Sequence, residues 1–163
     1  MKKWTILVLA VMITLSVRVQ PVSAQTIITP VEGDEVCGPV LGIDPINFDL
    51  HARNAWSYCT DTMYGEPRLT GEAVVTINWN FKFTTHPYGP MWGTVRLINE
   101  NGYWEGSWVG EITKLEGYSY INVVSRGYGD YEGVQARLDY FRLSPDPTAP
   151  YQVYGVIMDP GGD

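Results

Sequence analysis

Almost every residue pattern that carries catalysis or metal binding is missing from this chain of 163 residues. It has two histidines, His51 and His86, in unrelated contexts. His86 precedes a proline, a loop setting, and both histidines read as surface residues rather than bases. There is no Gly-x-Ser-x-Gly elbow and no phosphate-binding glycine loop. No His-x-x-x-His or Cys-x-x-Cys spacing occurs, so no metal and no cofactor are expected. Asp44 and Asp49 support at most a loose calcium site, not an EF-hand loop. No Asn-x-Ser/Thr acceptor is present. Basic residues are scarce, with 11 Lys and Arg against 18 Asp and Glu, for a net charge of −7. That balance argues against nucleic acid or an anionic membrane as partner, since both need basic patches.

Long apolar runs are also absent, with one exception at the start. Lys2 and Lys3 precede an uncharged apolar run over residues 4–17, which Arg18 breaks. Val22-Ser23-Ala24 then supplies the small residues of a cleavage site. Residues 1–24 are expected to be a cleavable signal peptide, with secretion to the periplasm or exterior. The run is shorter than the ~20 residues that span a bilayer, and no cysteine follows it to carry a lipid. Cleavage before Gln25 removes three basic residues and no acid. It leaves 8 basic against 18 acidic side chains, a charge of −10, and 139 residues that suit one domain. The two cysteines, Cys37 and Cys59, then read as a disulfide contributing on the order of 3 kcal/mol.

What the chain does have is alternation. Residues 25–45 hold Pro30, Pro39 and Pro45 and are expected to be an irregular leader to a domain over residues 46–163. Residues 72–84 are the clearest strand. Val75, Ile77, Trp79, Phe81 and Phe83 fall on one face, and Thr76, Asn78, Asn80, Lys82 and Thr84 on the other. Strands over 92–98 and 103–113 flank Asn99-Glu100-Asn101-Gly102, where Asn-Gly predicts positive φ angles in a tight hairpin. A second hairpin joins 118–126 to 131–143 through Gly127-Tyr128-Gly129-Asp130, and a last strand covers 151–158. Segments 46–52 and 56–63 are weaker strands. Seven or eight consecutive antiparallel strands favour an all-β, up-and-down barrel, which removes the sheet edges; a β-sandwich is the alternative.

One element occurs twice: Gly102-Tyr103-Trp104-Glu105-Gly106 and Gly129-Asp130-Tyr131-Glu132-Gly133. In each, the aromatic and the last glycine lie two apart and share a face, so a ring can cover the gap a glycine leaves in a curved sheet. Asn101, Gly102, Gly106, Gly127, Gly129 and Gly133 are therefore assigned structural roles. Glu105 and Glu132 face away from their aromatics, which disfavours a catalytic pair. Val134, Ala136 and Leu138 form an apolar face out of phase with Tyr131 and Gly133, and a bulge near Gly133 would reconcile them.

The core Asn101-Gly102-x-Trp104-x-Gly106-x-Trp108-x-Gly110 and the stretch Gly127-x-Gly129-x-Tyr131-x-Gly133 resemble secreted proteins of the allene oxide cyclase barrel superfamily, which includes the dirigent proteins. The resemblance covers about residues 68–158. It implies an eight-stranded barrel with a central cavity. It does not extend to the active-site residues of either family, so neither activity is implied.

Aromatics are plentiful: Trp56, Trp79, Trp92, Trp104 and Trp108 lie beyond residue 24, with all eleven tyrosines. Packing explains many of them, and a barrel of this size can also hold one small ligand. Alternation nominates Trp79, Trp104, Trp108 and Tyr140 as cavity-lining, ligand-binding residues. Three functions follow. The first is non-enzymatic binding of a small apolar or aromatic ligand, or of a protein partner. The second is a carbohydrate-binding module using an exposed row of Trp92, Tyr103 and Tyr118. The third is a cyclase or isomerase acting by confinement, which needs a polar group deep in the cavity.

Overall fold

Strands with one apolar and one polar face satisfy both by wrapping the apolar faces around a common interior. This chain, seen in a computed structural model, does so completely. The structure describes residues 25–43, 50–82, 87–114, 118–144, 146 and 148–161. Eight strands follow in chain order: β1 (Ile27–Cys37), β2 (His51–Met63), β3 (Gly71–Asn80), β4 (Gly89–Asn99), β5 (Gly102–Ile112), β6 (Ser119–Gly129), β7 (Gln135–Arg142) and β8 (Tyr151–Asp159). Each pairs antiparallel with the next, and β8 returns to β1, closing the barrel. The up-and-down barrel is formed and the sandwich is not. The expected signal peptide, Asp44, Asp49, Phe83, Thr84 and His86 lie outside the described residues.

The eighth strand comes from an unexpected place. Residues 27–37, expected to be irregular, are β1, a full barrel strand. Pro30 is tolerated because residues 27–32 lie outside the β1–β2 ladder, which runs only from Gly33 to Cys37. With a free side there, the missing N–H breaks no bond to β2. Conversely, residues 51–52 of the weak strand expected at 46–52 run on into the one expected at 56–63 as the single strand β2, and residues 46–49 lie outside the described residues. A bulge separates Ala52 from Ala55, and Asn54 adopts a left-handed φ of 56°. The extra residue shifts the alternation, which is why the sequence reads as two pieces.

The hairpins form where expected but with different chemistry. β4 and β5 meet at Asn99 and Gly102, yet neither Asn101 nor Gly102 has a positive φ. Gly102 is needed for close approach instead, since a Cβ there would lie 2.3 Å from the Tyr128 carbonyl oxygen. The second turn lies later than expected. β6 continues through Gly127 to Gly129, Tyr131 and Gly133 sit in the turn, and β7 starts at Gln135. Gly129 and Gly133 carry the left-handed angles, φ 72° and 86°. No bulge is required to bring Ala136, Leu138 and Tyr140 inward, because Tyr131 and Gly133 belong to the turn.

The barrel has two unlike ends. At one, the 3₁₀ turn Pro67–Leu69 crosses the opening. Trp104 fills the space beneath it, donating from Nε1 to the Arg68 carbonyl at 2.7 Å and stacking on Tyr131 with centroids 5.5 Å apart. The Tyr131 ring lies over Gly102, 3.1 Å from where a Cβ would stand, so an aromatic does cover a strand glycine. Tyr131 also donates to Asn99 Oδ1 at 2.8 Å, and Arg68 bridges Glu66 and Asp159. This end is sealed. The other end carries the loops after β1, β3, β5 and β7 and leads into a cavity.

Candidate functional site: the lumen

Inward-facing side chains of successive strands enclose a cavity of about 690 Å³. That is within the usual range of small-molecule sites, roughly 300–1,000 Å³. β3 supplies Val75, Ile77 and Trp79, with Phe81 just beyond its end, the apolar face expected from alternation. Trp79 stacks on Phe81, centroids 5.4 Å apart, to make an aromatic wall. Trp108 of β5 stands in the same lining. Its Nε1 donates to the Thr76 carbonyl at 3.1 Å, and its indole lies over Gly93, where a Cβ would be 2.8 Å from Nε1. Pro39, Val40 and Ile43 from the loop after β1, and Thr148 from the loop after β7, also line the cavity.

Three of the four nominated residues line the cavity: Trp79, Trp108 and Tyr140. Trp104 does not. It faces inward, but at the sealed end, where the Pro67–Leu69 turn and Tyr131 close over it. Alternation identifies an inward face and is silent on depth, so it cannot separate a plug from a wall. The structural residues fall as described above, with Gly106 another close approach, 2.4 Å from a Val124 oxygen if a Cβ were present.

Cys37 and Cys59 are bonded to each other, directly opposite across the β1–β2 seam, and both line the cavity. This seam has five paired positions, against nine between β1 and β8, so the disulfide pins the shorter side of β1. Glu35, Cys37 and Cys59 bring potential ligand atoms within 4.8 Å, but both sulfurs are spent in the disulfide.

The lumen also has a polar side. Glu35 lies two residues from Cys37 on the same face of β1, 6% exposed, and lines the cavity. Asp61, two residues from Cys59 on β2, is its cross-strand partner and is fully buried. Tyr140 donates to Asp61 Oδ1 at a long 3.5 Å, while Asp61 Oδ2 has no hydrogen-bond partner among the described residues. Burial, reinforced by the Asp61 charge, holds the Glu35 carboxyl well above its ordinary value. Burial pushes Asp61 to about 7, opposed by the Tyr140 hydrogen bond. Burial raises Tyr140 as well, with both carboxylates adding to it. Nearer the mouth, the Arg142 guanidinium sits 4.8 Å over the Tyr151 ring and donates to Ser119 Oγ at 3.2 Å. A signal for the two acids existed. If the disulfide joins neighbouring strands inside a barrel, period two puts Glu35 and Asp61 inside with it.

The remaining nominations are dispersed. Trp92 carries Arg53 over its ring at 5.0 Å, and Tyr103 is sandwiched by Tyr128 and Arg96. Tyr103 starts β5 at the sealed end, whereas Trp92 and Tyr118 lie toward the open end, so the three form no row. His51 is exposed beside Asn80. Glu105 pairs with Arg96 on the outer surface, and Glu132 is exposed in a turn, well apart from each other's chemistry.

No family model, curated protein or solved structure matches the chain.

Proposed function

We propose that this is a secreted binding protein that takes one small, largely apolar or aromatic molecule into the open end of its barrel. The observation that carries this reading is the hollow lumen, with Trp79, Phe81 and Trp108 in its lining. Burying a ligand against such a wall gains about 25 cal/mol per Å² of apolar surface removed from water. The disulfide supports an oxidising compartment, and with it the signal peptide proposed for residues 1–24. Kinship with the allene oxide cyclase barrels is proposed on the glycine pattern, and the closed eight-strand meander is consistent with it while being common to several barrel families. Titration with N-phenyl-1-naphthylamine, a neutral fluorescent probe, tests the reading. One saturable site per chain with quenching of tryptophan emission is expected, and a Trp108→Ala variant should weaken it about tenfold. Absence of saturable binding overturns the reading.

A second reading has its own observation. Glu35 is a carboxyl whose hold on its proton burial strengthens, facing a space where a substrate would sit, as a general acid in a cyclase or isomerase must. Turnover of a bound compound by the parent protein and not by Glu35→Gln would favour this enzyme. The carbohydrate-module reading has no comparable support, since its three aromatics are scattered.

A further inference from the structure

The lumen contains a charge problem that its own residues leave unsolved. Glu35 and Asp61 are adjacent, buried acids. The groups that face them are Tyr140 from β7, Tyr151 from β8, Ser57 from β2 and the disulfide; Glu72 of β3 adds a further negative charge acting on Asp61. Arg142 is the one cation in the described lining. It sits by Tyr151 and Ser119 at the open-end layer, and it does not figure among the influences on either acid. Asp61 Oδ2 is left without a donor among the described residues. Two acids beside an apolar cavity are destabilising when empty and repay only a ligand that brings them charge or protons.

We propose that the lumen is built for a ligand whose aromatic or apolar body carries an ammonium group, seated against the Glu35 carboxylate. An ammonium has three N–H donors. It can bond Glu35, which lines the cavity, while its charge also favours ionisation of Asp61 one step deeper. A neutral acceptor could take a proton bond from Glu35 but would leave the second acid uncompensated. An anion held at Arg142 would leave both acids without a counter-charge. The rings of Trp79, Phe81 and Trp108 suit the body of the ligand and offer π faces to a cation. The inference rests on the lumen being the binding site.

Three compounds on one skeleton separate the possibilities: tryptamine, tryptophol and indole-3-acetate, each competed against N-phenyl-1-naphthylamine with the full chain. Tryptamine should bind at least tenfold more tightly than either relative. Its binding should release about one proton, measured by calorimetry in buffers of different ionisation enthalpy. Its affinity should then rise about tenfold per pH unit while Glu35 is protonated in the free protein. Glu35→Gln should weaken tryptamine about tenfold to a hundredfold and leave tryptophol within about twofold. Equal or tighter binding of tryptophol or indole-3-acetate overturns the ammonium inference and leaves the binding reading intact. So does probe binding that tryptamine does not displace. If neither the probe nor any of the three compounds binds, the lumen is not the site and both fall. Asp61→Asn, an isosteric change, serves as a second variant if Glu35→Gln does not fold.

Discussion

Trp104 and Trp108 lie on the same face of the same strand, four residues or about 14 Å apart, and do opposite things. Trp104 is 2% exposed, tied to the Arg68 carbonyl and stacked on Tyr131, and it closes the barrel. Trp108 is also buried, but the space beside it is the lumen. The difference lies in what crosses each end. At one, Pro67–Leu69 and the Asp130–Gly133 turn fold over the opening and supply a carbonyl and a ring. At the other, Pro39, Val40 and Ile43 after β1 and Thr148 after β7 line the cavity. The sealed end is packed around Trp104, and the lumen lies toward the other end.

The largest effect should come from the plug. Trp104→Ala removes a fully packed indole and its hydrogen bond, and chemical denaturation should show a loss of about 3–5 kcal/mol. Trp108→Ala, two repeats of the pleat along β5, should cost markedly less stability. Equal losses would erase the distinction between the two ends.

Next comes the acid pair. Asp61 is raised from 3.8 to about 7 in the folded chain, so its stabilising form is the neutral one. That contribution is fully present below the unfolded value near 4 and is lost as pH rises through about 7. The loss for Asp61 is on the order of 4 kcal/mol. Asp61→Asn should therefore be more stable than the parent at pH 8, with the advantage shrinking towards pH 4. An advantage independent of pH would show that the carboxyl is ionised throughout.

Reduction of Cys37–Cys59 should follow, at about 3 kcal/mol, or a fall in Tm of roughly 10 °C. Because the bond pins the short β1–β2 seam beside Glu35, probe affinity should fall with it. The smallest effect is the tenfold weakening of the probe by Trp108→Ala, about 1.4 kcal/mol.

Much of this architecture is legible in the alternation. Val75, Ile77, Trp79 and Phe81 can be assigned to one face from spacing alone, and all four line the lumen. β1 is harder to read because Pro30 and the acids that follow it look like loop, and the absence of a β2 partner at Pro30 explains how a strand accepts the proline. β2 is obscured by its bulge. The site follows the same division. Trp79, Trp108 and Tyr140 are apolar or aromatic residues in phase with their neighbours, whereas Glu35 and Asp61 break the expectation that charges face water. Their position becomes visible only through Cys37 and Cys59, two residues away on the same faces. Depth along the barrel, which separates Trp104 from Trp108, depends on what the distant 3₁₀ turn covers and leaves no local trace.

The direct test of the open lumen is to fill it. Val123 faces the cavity on β6, while Val109 points outward from β5 and is 60% exposed. Val123→Trp should abolish N-phenyl-1-naphthylamine binding in a folded protein, and Val109→Trp should leave it unchanged. Undiminished binding to a folded Val123→Trp variant would contradict the account, because the probe would then be held on the outer surface rather than inside the barrel.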